Sequence, residues 1–66
     1  MTVYLNKEPL QTDSSNLASL LQEKALLDKK GIAVAVNNEV VQKVNWTSTS
    51  IQENDKILII TAIQGG

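Results

Sequence analysis

The chain of 66 residues has no cysteine, no histidine and no arginine. Without cysteine there is no thiol nucleophile and no disulfide. Without histidine the commonest transition-metal ligand is gone too, so no metal site is expected. Phenylalanine is also absent, which leaves Tyr4 and Trp46 as the aromatic residues. Six lysines and seven acids are scattered along the chain for a net charge of -1. With no basic patch and almost no ring for a base to stack on, nucleic-acid binding is not expected. No apolar run approaches the ~20 residues that span a bilayer. Residues 1–6 lack a basic region followed by a long apolar one, the mark of a signal peptide. A cytoplasmic protein without membrane contact is the expectation.

What is present suits a small globular domain. A chain this short buries only about 60% of its unfolded surface, so it holds one domain with little room for a deep catalytic cleft. Apolar residues make up 42% of it, and with no disulfide that core must hold the fold alone.

Val3 to Asn6 reads as a strand with Val3 and Leu5 on one face and Tyr4 on the other. Residues 6–9 supply a turn, and Leu10 to Thr12 a short return strand. Pro9 marks that return strand as an edge, because it cannot donate a ladder hydrogen bond. Residues 13–16 are helix-capping types, and Leu17, Leu20 and Leu21 follow at helical spacing, with Leu27 further along the stripe. The helix should fade after Ala25, and Gly31 can take the left-handed conformation that turns the chain back. In Ile32 to Val36 the larger residues alternate with Ala33 and Ala35, which predicts a strand with Ile32, Val34 and Val36 on the core. Asn37 and Asn38 suit a tight hairpin turn. Val40, Val41 and Val44 continue as the return strand, and Trp46 covers one end of the core. Residues 47–50 read as loop and residues 53–55 as a turn. Lys56 to Ile63 is the most apolar stretch, a β-branched run that predicts a strand covered on both faces.

The order is therefore ββαβββ. Two hairpins around one main helix form an α+β, ubiquitin-like β-grasp with a mixed sheet if the last strand inserts beside the first in parallel. That central position would explain why it is the most apolar strand. The domain is expected over residues 1–63, with residues 64–66 a flexible Gly-Gly tail.

The tail carries the chemistry. Glycines at 65 and 66 lack a Cβ, so they can thread a narrow channel at almost any φ. Three extended residues beyond Ile63 reach roughly 10 Å. The α-carboxylate of Gly66 is a poor electrophile, but conversion to an acyl-adenylate with ATP supplies a leaving group. A sulfur nucleophile can then displace AMP and leave a thiocarboxylate.

The segments 31–37, Val40-Val41 with Trp46, 55–59 and Gly65-Gly66 together resemble the ThiS family of sulfur carriers of thiamine thiazole synthesis, over the whole chain. The resemblance implies that Gly66 is adenylated and then thiocarboxylated, with Gly65, Gln64 and Ile63 threading the tail into the partner. It implies an adenylating partner related to ubiquitin-activating enzymes, a sulfur donor such as a cysteine desulfurase, and thiazole synthase as recipient. It further implies a carrier that would hold no cofactor and catalyse nothing, and a free monomer that forms transient complexes is expected. Family members often carry Pro-Arg after the pair matching Val40-Val41. Here Gln42-Lys43 keeps the charge but not the planar guanidinium fork.

Other readings compete. The small subunit of molybdopterin synthase shares fold and tail chemistry, but usually runs longer and has prolines before its glycines, where this chain has residues 61–64, TAIQ. A protein modifier that joins Gly66 to a target lysine would need the same tail. A plain interaction module would leave the tail inert. A stand-alone enzyme fits least. The acids fall at turns or polar helix positions, and Ser14 and Ser15 read as caps with no histidine to activate them. Alternation places Leu58, Ile60 and Ala62 on the sheet face away from the helix, near Ala33 and Ala35. That exposed apolar patch is the expected partner-binding surface.

Overall fold

A computed structural model describes residues 1–61. Strands β1 (Thr2–Leu5) and β2 (Glu8–Gln11) form an antiparallel hairpin with Leu5 opposite Glu8. The two residues between them, Asn6 (φ 50) and Lys7 (φ 73), both have left-handed backbone, the mirror-image turn whose twist matches the strands it joins. This turn needs only two residues, so β2 begins earlier than expected and takes in Pro9. The Tyr4 N–H donates to the Asp55 carbonyl at 2.9 Å, away from β2. Pro9 is the partner of Tyr4, so the hairpin ladder asks for no donor there.

Helix α1 (Leu17–Glu23) starts at Asn16, whose side-chain oxygen accepts from the Ser19 N–H at 2.8 Å. Leu17, Leu20 and Leu21 lie one helical turn apart and are fully buried. The helix ends before Ala25, two residues sooner than expected. Ala25 turns left-handed (φ 62), and its N–H donates to the Gln22 carbonyl at 3.0 Å. The Leu26 N–H donates to the Leu21 carbonyl at 2.7 Å. This pair of bonds closes a helix end on the pattern that glycine usually occupies. Gly31 (φ 75) then turns the chain into β3, as expected.

Strands β3 (Ile32–Val36) and β4 (Glu39–Val41) form the second hairpin, closed by Asn37 (φ 52) and Asn38 (φ 72). Val44 does not extend β4. After Gln42 the chain enters a 3₁₀ turn, Lys43–Asn45, and Val44 is exposed. That turn brings Trp46 under the sheet, where its ring is 3% exposed and its indole N–H donates to the Val41 carbonyl at 2.9 Å. Burial of the ring and a partner for its polar atom are satisfied together.

Strand β5 (Lys56–Thr61) completes a five-stranded sheet in the order β2-β1-β5-β3-β4. It runs parallel to β1 and antiparallel to β3, so the last strand is inserted at the centre. Asn37 fixes where it starts. Its backbone N–H donates to the Lys56 carbonyl at 2.7 Å, and its side-chain oxygen accepts from the Lys56 N–H at 3.0 Å. Between the helix and one sheet face lies the core of Val3, Leu17, Leu20, Leu21, Val34, Trp46, Ile51 and Ile57. Burial of each such aliphatic side chain contributes about 1.5–3 kcal/mol. Leu27, Ile32, Val36 and Ile59 are half-buried against it.

Candidate functional site

One layer of helix covers one face of the sheet, and the other face is open. Val3, Val34 and Ile57 point at the helix, so their neighbours along the strands point away from it. The cross-strand pairs Ala33 with Ile60 and Ala35 with Leu58 put these four residues side by side on the far face. Leu58 is 42% and Ile60 47% exposed. The expectation that β5 is covered on both faces is therefore corrected: its apolar far side meets no second layer among the described residues. Val40 joins the strip from β4, opposite Ala35, and is strongly exposed.

Ala35 departs from the expected exposed patch. It is buried, although it faces away from the helix. Its partners Leu58 and Val40 flank it in the sheet, and their larger side chains cover its single methyl. Ala35 is thus the floor of the strip, and Leu58, Ile60 and Val40 are its raised parts.

The strip leads along β5 to Thr61, the last described residue. Ala62, Ile63, Gln64, Gly65 and Gly66, the remaining expected site residues, lie outside the described residues. Five residues follow Thr61, which at full extension span at most about 17 Å. The chain therefore approaches its glycines from the central strand, which pairs with β1 at its start and with β3 from Ile57 to Thr61.

At the opposite end of β5 a hollow of about 340 Å³ is lined by Tyr4, Lys7, Asn38, Lys56, Ile57 and Leu58. Alternation in the sequence places Tyr4 and Lys56 on this face. Lys7 and Asn38 belong to two different hairpin turns, and no local pattern signals their approach. Insertion of β5 between the hairpins brings them together.

The Glu23 carboxyl has a shifted pKa. The Thr12 hydroxyl donates to Glu23 at 2.6 Å and the Ser14 hydroxyl at 3.0 Å. These bonds, Thr12 first, hold the Glu23 carboxyl below its ordinary value. Glu23 ends the helix, so the shift belongs to the helix layer and not to the open face. The described residues contain no cluster of three metal-ligating side chains and no helix long and apolar enough to cross a membrane.

Comparison with known proteins agrees with this architecture. The chain is 27% identical to the sulfur carrier protein ThiS of Escherichia coli (strain K12), over 100% of both chains. It is 28% identical to that of Thermus thermophilus, over 97% of this chain and 98% of the relative. The crystal structure of a thiamine biosynthesis protein, ThiS, from Geobacter metallireducens superposes with a TM-score of 0.85 at 22% identity, over 100% of both chains. A solution structure of a thiamine biosynthesis protein from the same organism gives 0.76, over 100% of this chain and 88% of that one. These likenesses establish the small β-grasp fold. A sequence model of the ThiS family matches residues 2–66, and the chain belongs to that family.

Proposed function

We propose that this protein is a sulfur carrier of thiamine thiazole synthesis, and that Gly66 is the residue that carries the sulfur. The observation behind this reading is the path of β5. A central strand, with an open apolar face beside it, delivers a Gly-Gly end in a chain of the ThiS family. An adenylating enzyme transfers AMP from ATP to the Gly66 carboxylate and releases pyrophosphate. The carbon–oxygen bond to AMP then breaks as a sulfur nucleophile, supplied by a donor such as a cysteine desulfurase, forms the carbon–sulfur bond. With a persulfide as that nucleophile the intermediate is an acyl disulfide. A thiol of a partner attacks its distal sulfur, the sulfur–sulfur bond breaks, and the thiocarboxylate is released as a disulfide forms on the partner, for thiazole synthase to consume. The chain acts as co-substrate in each step and not as catalyst, in the cytoplasm, as a free monomer between encounters. Leu58 and Ile60, with Ala33 and Ala62, form the face that docks on the partners, over the buried floor that Ala35 provides.

The test is alkylation of protein taken from cells with a thiol reagent, followed by intact-mass and C-terminal fragment analysis. The chain has no cysteine, so a label mapped to Gly66 reports a thiocarboxylate. Alkylation also separates sulfur-for-oxygen exchange from oxidation of Met1, which adds nearly the same mass. Label at Gly66 is the expected result. No label, with adenylating enzyme, ATP and sulfur donor added back, would leave the modifier or inert-module reading in its place.

A further inference from the structure

The hollow at the start of β5 has a chemistry of its own. Its lining joins apolar surface of Tyr4 and Leu58 with Asn38 and two lysines, Lys7 and Lys56, and includes no acidic residue. The acids of the sheet are placed elsewhere. Glu8 and Glu39 stand opposite Leu5 and Val36, on the side of the strands that turns toward the helix. Those of the turn before β5 are already engaged: Glu53 accepts from the Thr2 N–H at 3.0 Å, and Asp55 accepts from the Asn37 side chain at 3.0 Å and the Gln52 N–H at 2.8 Å. Lys56 is the charged strand residue on the far face. The five residue steps from Lys56 to Thr61 cover about 17 Å, so the hollow sits well away from the point where the tail departs.

We propose that this hollow is a second anchor for the adenylating enzyme, and that it takes an apolar side chain borne on an acidic segment of that partner. The apolar group packs on the Tyr4 ring and Leu58, while neighbouring carboxylates pair with Lys7 and Lys56 at the rim. The lysine stems add apolar wall while their heads stay at the water boundary. Charge complementarity selects this occupant, because a basic or purely apolar segment would leave two ammonium groups facing it unpaired. Two anchors at opposite ends of β5 set the direction in which the tail is presented, which one patch beside the tail cannot do. The inference rests on the reading that the open face docks on that enzyme.

The experiment is ATP–pyrophosphate exchange with the cognate adenylating enzyme, at several salt concentrations. It uses the unaltered carrier, the Lys7→Glu/Lys56→Glu variant, Leu58→Asp, and Lys29→Glu/Lys30→Glu as a charge control. The double change in the hollow should raise the KM for the carrier about tenfold or more and leave kcat at saturation unchanged, as expected for lost encounter and anchoring. The control should match the unaltered carrier, whose KM should rise with salt. Circular dichroism melts establish that each variant is folded. Unchanged KM in Lys7→Glu/Lys56→Glu, with a raised KM in Leu58→Asp, overturns the anchor and leaves the docking face standing. Unchanged KM in both removes the face and the anchor with it. An equal loss in the control, or a KM of the unaltered carrier that ignores salt, also overturns the anchor, even should the double variant fail to fold.

Discussion

The side-chain oxygen of Asn6 accepts a hydrogen bond from the backbone N–H of Ile59 at 2.8 Å. The parallel ladder between β1 and β5 reaches only Leu5 and Ile57, because the chain turns away at Asn6. Ile59 then has no strand beside it on that flank, and Asn6 supplies the acceptor that a longer β1 would have provided. The same residue holds φ at 50, which asparagine tolerates better than most. One side chain therefore closes the first hairpin and continues the pairing of the strand that leads to the tail.

Replacement of Asn6 by Gly keeps the left-handed backbone and deletes the acceptor. The expected loss is about 1 kcal/mol in urea unfolding, the net worth of one such bond. The local readout is sharper: amide exchange at Ile59 should accelerate more than at Ile57 or Val34. Unchanged exchange at Ile59 would show that the bond does not protect it.

Ala25 is the opposite case, a residue ill-suited to its place. It closes helix α1 with φ at 62, where a Cβ crowds the backbone. Ala25→Gly should relieve that crowding while keeping the closing bonds to Gln22 and Leu21. After the entropy of freeing a glycine in the unfolded chain, a gain of about 0.5–1 kcal/mol is expected. For a domain of this size 1 kcal/mol is worth about 4–8 °C in Tm. A thermal melt checks it, and a lower Tm would mean that the helix end is held by contacts of the alanine methyl.

These two residues also mark where the sequence was readable. The strands, the hairpin turns at Asn6 and Asn37 and the leucine stripe follow from alternation, helical spacing and turn chemistry, which are local. The central place of the last strand is signalled only by its apolar run, given a parallel insertion beside the first. The early end of α1 did not show, because Ala25 is a good helix former and left-handed backbone at alanine has no sequence signal. Val44 departs from the expected strand for a related reason. Its apolar character suggested strand, yet the chain bends there to bring Trp46 under the sheet. Ala35 faced the expected way but is covered, since cover depends on Leu58 and Val40 in neighbouring strands. Lys7 and Asn38 meet at the hollow only through strand insertion, a relationship that no window of residues contains.

Glu23 ties the helix end to the segment before it through Thr12 and Ser14. Its folded pKa lies below the ordinary glutamate value, so the unfolded chain binds the proton more readily. The stabilisation is therefore present above the unfolded value, about 4.3, and is lost as pH falls through the lower folded value. The carboxyl carbon of Glu23 should titrate below an ordinary glutamate when followed by NMR. In Glu23→Gln, urea stability should be lower than in the unaltered protein at neutral pH, and the gap should close in acid. A gap that persists in strong acid would trace the effect to packing and not to ionisation.

The last prediction concerns the end of the chain. The proposed chemistry needs a free carboxylate on Gly66, reached through a channel too narrow for side chains. One alanine added after Gly66 moves the carboxylate by about 3.5 Å and places a methyl next to it. It leaves every described residue of the domain unchanged, so stability and binding to the adenylating enzyme should stay near their original values. Exchange of pyrophosphate into ATP should fall to background, and alkylation should find no thiocarboxylate. Deletion of Gly66 should fail in the same way by withdrawing the carboxylate. Loss of chemistry with binding intact would separate the two parts of the molecule: a rigid sheet that is recognised and a terminus that reacts. Normal exchange in the extended chain would rule out the Gly66 carboxylate as the group that is adenylated.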